Sequence, residues 1–210
     1  MNDLNKKTEL VIRKLSELYP EARAELKFAN PFEMLIATIL SAQCTDKRVN
    51  MVTEKLFGLY PTPQAIAALK VEELEALIRE CGLYHMKAVH ISEACKKLVS
   101  EYGGIVPDNR EALMQLPGVG QKTAGVVLMA AFGKDEIPVD THVFRVSNRI
   151  GLCNTKTANE TEICLRTIIK PGERGHMHHL LIWHGRRCCK AIHPNCDACP
   201  LSNGICEKNI

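Results

Sequence analysis

The sequence predicts an all-α fold, and three observations support that prediction. Apolar residues recur at helical spacing along most of the chain, as at Val11, Leu15 and Leu18 near its start. Prolines and glycines separate these segments at intervals typical of helix–helix connections. No segment shows a convincing alternation of apolar and polar residues with a period of two, which would indicate a half-buried strand. Helices must therefore pack on helices.

The helices can be placed in order along the chain. A lysine- and glutamate-rich amphipathic helix over Leu4–Tyr19 ends at Pro20. Asn30 has the chemistry of an N-cap, because Pro31 can occupy the first helical position and Glu33 follows three residues after the cap. Later helices are predicted through Val49–Leu56, over Pro63–Leu69, Val71–Cys81, Met86–Tyr102 and Arg110–Gln115, from Lys122 onward, from Asp140 to Ile150, and over Ala158–Ile168 and Gly175–Arg187.

The composition favours a soluble intracellular protein. Of the 210 residues, 46% are hydrophobic but only 5% are aromatic, so the core must be largely aliphatic. The first residues lack the uninterrupted apolar stretch of a signal peptide, and the longest apolar runs are too short to cross a bilayer. We therefore expect a cytoplasmic, monomeric protein that does not bind membranes. Residues 110–210 carry 13 Lys or Arg against 9 Asp or Glu, and this mild positive excess suits a polyanionic partner.

The segment Gln115–Ala131 combines a glycine turn with the start of a helix. Pro117, Gly118 and Gly120 form the turn, and Lys122 lies in the first turn of the helix. The first amide groups of such a helix are unpaired and its dipole favours an anion, so the turn can bind a phosphate beside the lysine amine. A lysine at this place is also common as a solvated surface residue, and the turn alone does not decide between the two interpretations.

Asp140 also has two interpretations. It precedes a helix, where a short carboxylate is a good N-cap for the unpaired amide groups. It also lies one helix and one turn after Lys122, so both side chains could face one cleft. The two roles are compatible, because a capping carboxylate is held ionised and in a fixed direction.

Cysteines crowd the end of the chain in a pattern typical of a metal site. Cys189, Cys196, Cys199 and Cys206 have the spacing C-x6-C-x2-C-x6-C, and four thiolates so close together can surround one metal centre. Spacing alone does not separate a structural zinc ion from a [4Fe–4S] cluster. Cys188 could replace Cys189 in register, although we favour a buried thiol beside the site.

Two other groups of residues are expected to be structural. The remaining five of the ten cysteines are scattered singly through helix-like segments, where a free cysteine usually behaves as a small buried hydrophobe. Four histidines near the end of the chain have no carboxylate between them at ligand spacing, so we favour partly buried side chains over a second metal site. The residues are Cys44, Cys81, Cys95, Cys153 and Cys164, and His176, His178, His179 and His184.

Together these motifs resemble the endonuclease III family, the bifunctional DNA glycosylases for oxidised pyrimidines within the helix–hairpin–helix superfamily. Leu116–Ala124 resembles the family's hairpin with its catalytic lysine, and Val139–Val146 resembles the segment with its essential aspartate. Leu40–Asp46, Gly82–Tyr84 and the terminal cysteine loop follow in the family's order. The resemblance extends over nearly the whole chain.

The resemblance implies two helical lobes with a DNA-binding cleft between them. Residues 24–134 would form a central barrel-like domain that contains the helix–hairpin–helix motif. Residues 1–23 would join residues 135–210 in a second domain. There Cys189, Cys196, Cys199 and Cys206 would form a C-terminal loop that binds a [4Fe–4S] cluster.

The resemblance also implies a base-excision DNA repair enzyme that is both a DNA glycosylase and an AP lyase. Lys122 would form a Schiff base with the sugar and Asp140 would assist catalysis. The partner would be double-stranded DNA with a damaged pyrimidine or an abasic site, which places the protein at the bacterial nucleoid. The implied DNA contacts are Gln43, Leu83, Gly118, Val119, Gly120 and Thr123, and the residues near the damaged base are Ser41, Asp46 and His142.

The chain departs from the family pattern at two places. Six residues separate Cys199 from Cys206 where the family has five, and Gln121 stands where a basic residue is common. Two alternatives remain. One is a mismatch-specific DNA glycosylase of the same superfamily. The other is a non-catalytic DNA-binding protein whose cysteines sense redox state, and such a protein would not need both Lys122 and Asp140.

Overall fold

A computed structural model describes residues 3–208 of the chain. Over this range the chain forms eleven α-helices and no β-strand, which confirms the all-α prediction. The helices are α1 Asp3–Leu18, α2 Pro31–Leu40, α3 Asp46–Leu59, α4 Pro63–Ala67, α5 Val71–Ile78, α6 Tyr84–Tyr102, α7 Arg110–Met114, α8 Gln121–Phe132, α9 Thr141–Ile150, α10 Ala158–Ile168 and α11 Arg174–Arg187.

Side-chain caps fix where several of these helices begin. The Asn30 side chain accepts a hydrogen bond from the backbone N–H of Glu33 at 3.0 Å, with Pro31 in the first turn, as the sequence predicts. Thr157 and Glu160 form a reciprocal capping box at the start of α10. These contacts satisfy amide groups that the helix itself leaves unpaired.

The chain folds into two compact units. The central unit is Ala24–Lys134, and the terminal unit combines Met1–Arg23 with Asp135–Ile210. The outermost residues of the predicted cluster domain, 1, 2, 209 and 210, lie outside the described residues.

The central unit is built around α2. Eight of the ten residues of this helix are buried, so it is apolar on all sides, as expected of a helix inside a core. Helices α3, α6 and α8 pack against it, α4 and α5 pack against α6, and α7 packs against α8. The core is mainly aliphatic, as the composition predicts; its fully buried large side chains include Leu35, Ile36, Leu56, Ile91 and Leu98.

The terminal unit has a core of its own. Helix α11 packs against α9 and α1, and α10 packs against both α9 and α1. Val11 and Leu15 of α1 are fully buried there together with Val143 and Val146 of α9. Each unit can therefore hold its functional side chains on a rigid helical framework.

One cysteine prediction is wrong in the terminal unit. Cys153 and Cys164 form a disulfide, with their Cα atoms 6.2 Å apart, whereas the sequence predicts two separate buried hydrophobes. Cys153 follows the end of α9 and Cys164 lies within α10, and packing of these two helices brings the thiols together. An eleven-residue separation in sequence gives no sign of that contact.

Within the described range, no helix combines the length and apolar character needed to cross a membrane.

Candidate active site and cysteine-rich metal centre

A tight hairpin joins α7 to α8 in the central unit. Leu116 and Val119 are buried and anchor it to the core, and the Val119 N–H donates to the Leu116 carbonyl at 3.1 Å. Between them Gly118 has φ +78°, in the left-handed region that favours glycine. A Cβ at this position would come within 3.0 Å of the Cβ of His90. Both the backbone angle and the space therefore require glycine.

Helix α8 begins directly after this turn without a capping side chain. Its N-cap is Gly120, which makes no side-chain cap hydrogen bond, and its first turn has no acidic residue. The first amide groups and the positive end of the helix dipole are consequently available to an external anion. Lys122, the second residue of α8, is exposed, and Thr123 beside it is partly buried. The start of α8 thus pairs a phosphate-binding geometry with an accessible primary amine.

Asp140 is the N-cap of α9 in the terminal unit. Its Oδ1 accepts a hydrogen bond from the Val143 N–H at 2.7 Å, which confirms the structural interpretation of this residue. The carboxylate is partly buried and lies at the positive end of the helix. The hydrogen bond to Val143 fixes the direction of the carboxylate.

His142 lies two residues further along α9. Its Nδ1 is 3.2 Å from Nη2 of Arg145, and a Cβ on Gly185 of α11 would approach its ring to 3.0 Å. Burial lowers the pKa of His142, although the nearby Asp140 carboxylate opposes that shift. The imidazole is therefore neutral near pH 7 and can accept or donate a hydrogen bond through a ring nitrogen.

Two short loops of the central unit expose the residues predicted to enter the DNA duplex. Gln43 lies in the loop after α2 and has φ 52°, and Leu83 precedes α6 and has φ 60°. Both are left-handed conformations that are uncommon for residues other than glycine. Leu83 is 54% exposed despite its apolar side chain, and Gln43 is exposed as well. The carbonyl oxygen of Gln43 is only 3.3 Å from the place of a Cβ on Gly82, so the two loops are in contact.

The structure places two further predicted residues near the first of these loops. Ser41 is the C-cap of α2, and its hydroxyl donates to the Thr38 carbonyl at 2.8 Å. Asp46 is the first residue of α3, after the N-cap Thr45. Both therefore flank the Gln43 loop within the central unit.

Lys87 is a residue of this region that the sequence analysis does not identify. It is only 4% exposed, and its Nζ donates to the carbonyls of Leu40 and Ala42 at 2.8 and 2.7 Å. The helical spacing from Lys87 to Ile91 and Leu98 puts the lysine on the buried face of α6. From the sequence alone, that spacing indicates a buried lysine, and a buried lysine needs a hydrogen-bond partner.

The four predicted metal ligands line one pocket in the terminal unit. Two arginines of α9 hold the loop that contains these cysteines. Arg145 donates to the carbonyls of Gly185 and Cys189, and Arg149 donates to those of Lys190 and Ala191. The pocket is lined by Arg149, Ile150, His184, Cys188, Cys189, Pro194, Asn195, Cys196, Cys199, Leu201, Cys206 and Lys208.

The chemistry of this pocket fits a thiolate-bound metal centre. Nη1 of Arg149 lies 3.7 Å from the Cys189 sulfur, and the Lys208 N–H is 3.4 Å from the Cys206 sulfur. Such donors stabilise the negative charge of metal-bound sulfur. Among residues 3–208, the donor atoms that lie within 4.8 Å of one another belong to His184, Cys188 and Cys199. Of these three residues, only Cys199 is one of the four predicted cysteine ligands.

Cys188 is buried, as the sequence predicts. Burial raises the pKa of its thiol to about 12, and the thiol donates to the Asn195 carbonyl at 3.3 Å.

The histidines of α11 are mostly structural. His176 contacts the Ser16 hydroxyl at 2.8 Å, and Nδ1 of the buried His178 contacts the Pro138 carbonyl at 2.8 Å. Burial lowers the pKa of His179 to about 4. His184 differs, because its Nε2 is 3.6 Å from the Cys199 sulfur at the edge of the metal pocket.

Comparisons with known proteins identify the family to which the chain belongs. Residues 36–171 match the family model of the HhH-GPD superfamily base excision DNA repair protein. The chain is 45% identical to the endonuclease III of Bacillus subtilis strain 168 over 197 residues, which are 93% of this chain and 90% of the relative. A solved structure of a trapped endonuclease III–DNA covalent intermediate, an estranged-adenine complex, is 46% identical with a TM-score of 0.93, covering 97% of this chain and 96% of that one.

A more distant structure has the same fold. A thermostable thymine-DNA glycosylase is 27% identical with a TM-score of 0.88, covering 99% of this chain and 98% of that chain. The chain belongs to the HhH-GPD superfamily of base excision DNA repair proteins. Its similarity to endonuclease III extends over nearly its whole length, and its activity is that of a DNA glycosylase and AP lyase.

Proposed function

We propose that the enzyme removes oxidised pyrimidines from double-stranded DNA and then cleaves the strand at the resulting abasic site by β-elimination. The observation that carries this proposal is the position of Lys122, an exposed amine at the start of α8 directly after the uncapped glycine turn. A solved relative was trapped as a covalent intermediate with DNA, which supports a nucleophile of this kind. The substrate places the enzyme at the chromosome, in the cytoplasm, and we propose that it acts as a monomer.

Lys122 is the proposed nucleophile. Its neutral amine attacks C1′ of the damaged nucleotide, a C–N bond forms, and the bond from C1′ to the base breaks. Opening of the sugar gives a Schiff base between Nζ and C1′. The Schiff base acidifies the C2′ protons; loss of one of them forms a double bond and expels the 3′ phosphate, which cuts the strand.

Asp140 is the proposed electrostatic partner. The Val143 N–H fixes the direction of its carboxylate, which can stabilise the positive charge that develops on the sugar ring as the base leaves. The same carboxylate can then take part in the proton transfers.

The α7–α8 hairpin is the proposed phosphate clamp. Backbone amides at Gly118, Val119 and Gly120, with Thr123 beside them, would hold a DNA phosphate without reading the base sequence. Such contacts position the strand and do not select the lesion. Selectivity then comes from extruding the damaged nucleotide, which costs less when the base stacks poorly.

The loops at Gln43 and Leu83 are the proposed wedge. An exposed apolar side chain and an exposed amide on adjoining loops suit the space left in a duplex when a nucleotide is extruded. Ser41, Asp46 and His142 are proposed to lie near the extruded base, where hydroxyl, carboxylate and imidazole groups could read its edge.

The cysteine pocket is the proposed [4Fe–4S] site. Cys189, Cys196, Cys199 and Cys206 would bind the cluster, supported by the sulfur-directed N–H groups of Arg149 and Lys208. The cluster would supply structural order to the loop and no step of the reaction. We accordingly infer that the terminal unit is the cluster domain and the central unit the barrel-like helix–hairpin–helix domain.

A thymine-mismatch glycosylase is the second candidate. The thermostable thymine-DNA glycosylase shares 27% identity and the same fold, and the lesion pocket rather than the fold sets the base preference. Excision from duplexes that each carry one lesion separates the two candidates.

The nucleophile is tested by two lysines, one in the first turn of α8 and one just after its end. We expect Lys122→Ala to lower strand cleavage at an abasic site by on the order of 10³-fold, since the Schiff base can no longer form. Lys134, which follows the end of the same helix and pairs with Asp108, serves as the control, and Lys134→Ala should cleave at the wild-type rate. Equal rates of strand cleavage by Lys122→Ala and the wild type would refute the proposed mechanism.

The role of Asp140 can be separated from its structural role by one substitution. Asparagine caps helices as well as aspartate does, so Asp140→Asn should keep the thermal stability of the protein. It removes the negative charge, and we expect base excision to fall by about 100- to 1,000-fold. Measurements of melting temperature and single-turnover excision on the same preparation check both. A stable Asp140→Asn variant that excises normally would show that Asp140 serves only as a helix N-cap and has no catalytic role.

The metal ligands are tested with adjacent cysteines. We expect purified protein to contain about four iron and four sulfide per chain. Cys189→Ala should lose most of the iron, whereas Cys188→Ala should retain it. Elemental analysis and visible absorbance give the answer. Zinc in place of iron would refute the cluster, and loss of iron in Cys188→Ala alone would shift the ligand register by one residue.

A further inference from the structure

Lys87 is a buried cation that the proposed reaction does not use. Its Nζ donates to the carbonyl of Leu40, the last residue of α2, at 2.8 Å and to that of Ala42 at 2.7 Å. A positive charge at the C-terminal end of a helix is favourable, and hydrogen bonds from an ionised donor are stronger than those between neutral groups. The side chain therefore ties α6 to the end of α2 and to the loop that follows it.

The backbone of Lys87 belongs to the first turn of α6, which begins after its N-cap Leu83. The Lys87 N–H donates to the Leu83 carbonyl at 3.1 Å. Its side chain thus bonds the carbonyl immediately before Gln43, and its backbone bonds the carbonyl of Leu83. Both of these exposed residues have left-handed backbones, at φ 52° and 60°. Such conformations are strained for residues other than glycine and persist only where the surroundings enforce them.

The two loops also touch each other directly. Gly82 packs against the Gln43 carbonyl, and Cys44 and Cys81, each the neighbour of a loop residue, belong to the same hydrophobic cluster. A shift of one loop must therefore move the other. The Lys87 side chain bonds the backbone of the first loop, and the contact between Gln43 and Gly82 carries that constraint to the second loop.

A buried lysine at this position carries a desolvation penalty that an apolar residue would avoid. Burial lowers the pKa of Lys87, against the opposing effect of the Cys81 and Cys44 thiols. A methionine of similar length would fill the same space without the desolvation penalty. Methionine has no N–H group, so it cannot donate to the carbonyls of Leu40 and Ala42.

We infer that Lys87 is a positioning residue, which holds Gln43 and Leu83 in the backbone conformations needed to fill the gap left by an extruded nucleotide. This inference rests on the wedge function proposed above for the two loops. Lys87 does not touch DNA; it acts through the two exposed residues.

A double-mutant cycle tests the inference. We expect Lys87→Met to lower kcat/KM for a duplex with a single 5-hydroxycytosine by about 10- to 100-fold, as for loss of hydrogen bonds from a charged donor. Gln43→Ala with Leu83→Ala should give a loss of similar size. Because Lys87 acts through these residues, adding Lys87→Met to the pair should cause little further loss. Losses that multiply would show an independent role and overturn the inference.

Stability is controlled within the same helix. Leu98→Ala removes a fully buried side chain of α6, away from the loops, so it should lower the melting temperature while leaving kcat/KM within about threefold of the wild type. If Lys87→Met does not fold, Lys87→Gln replaces it in the cycle, because its uncharged amide is one atom shorter and does not reproduce the two charge-assisted hydrogen bonds of the ammonium.

The outcomes separate this inference from the proposal beneath it. If Gln43→Ala with Leu83→Ala excises normally, the wedge function falls and the inference falls with it. If that pair is impaired while Lys87→Met excises normally, the wedge function stands and only the inference is refuted.

Discussion

The backbone of Gly118, held at a positive φ against the side chain of His90, sets where α8 begins. Since the hairpin residues on either side are buried, the turn has no freedom to adopt another path. The amides that a side chain would otherwise cap are left open, and the lysine of the first turn is exposed beside them. An anion site and an amine are thus placed together by one turn and not by separate recognition elements. The proposed strand cleavage uses both groups, the amine as nucleophile and the turn to hold a phosphate.

Strain and buried charge are concentrated in the loops that carry function. Several helices begin with ordinary side-chain caps, whereas Gln43 and Leu83 hold left-handed backbones that cost about 1–3 kcal/mol each. The buried ammonium of Lys87 donates to the carbonyls of Leu40 and Ala42, just before Gln43. In the terminal unit, arginines of α9 similarly hold the backbone of the cysteine loop. In both units, a cation from a rigid helix orders an irregular segment by bonding its carbonyls.

Local signals predicted most of the fold. The order and type of all eleven helices follow from periodicity and caps, and the N-caps at Asn30 and Asp140 are as the sequence indicates, because capping depends on residues three or four apart. The Cys153–Cys164 disulfide could not be predicted, since it depends on how α9 packs on α10. The helical spacing of Lys87 with Ile91 and Leu98 does indicate a buried lysine, but its partners could not be predicted. Its partners are backbone carbonyls more than forty residues away, and a carbonyl has no sequence signature.

The most direct test of the account is to locate the covalent bond to DNA. The protein is incubated with a duplex that has one abasic site, reduced with borohydride, digested, and analysed by mass spectrometry. The account predicts a sugar-derived adduct on Lys122 at the start of α8. An adduct on another lysine or on the N-terminal amine would contradict it, and so would strand cleavage without any trapped adduct.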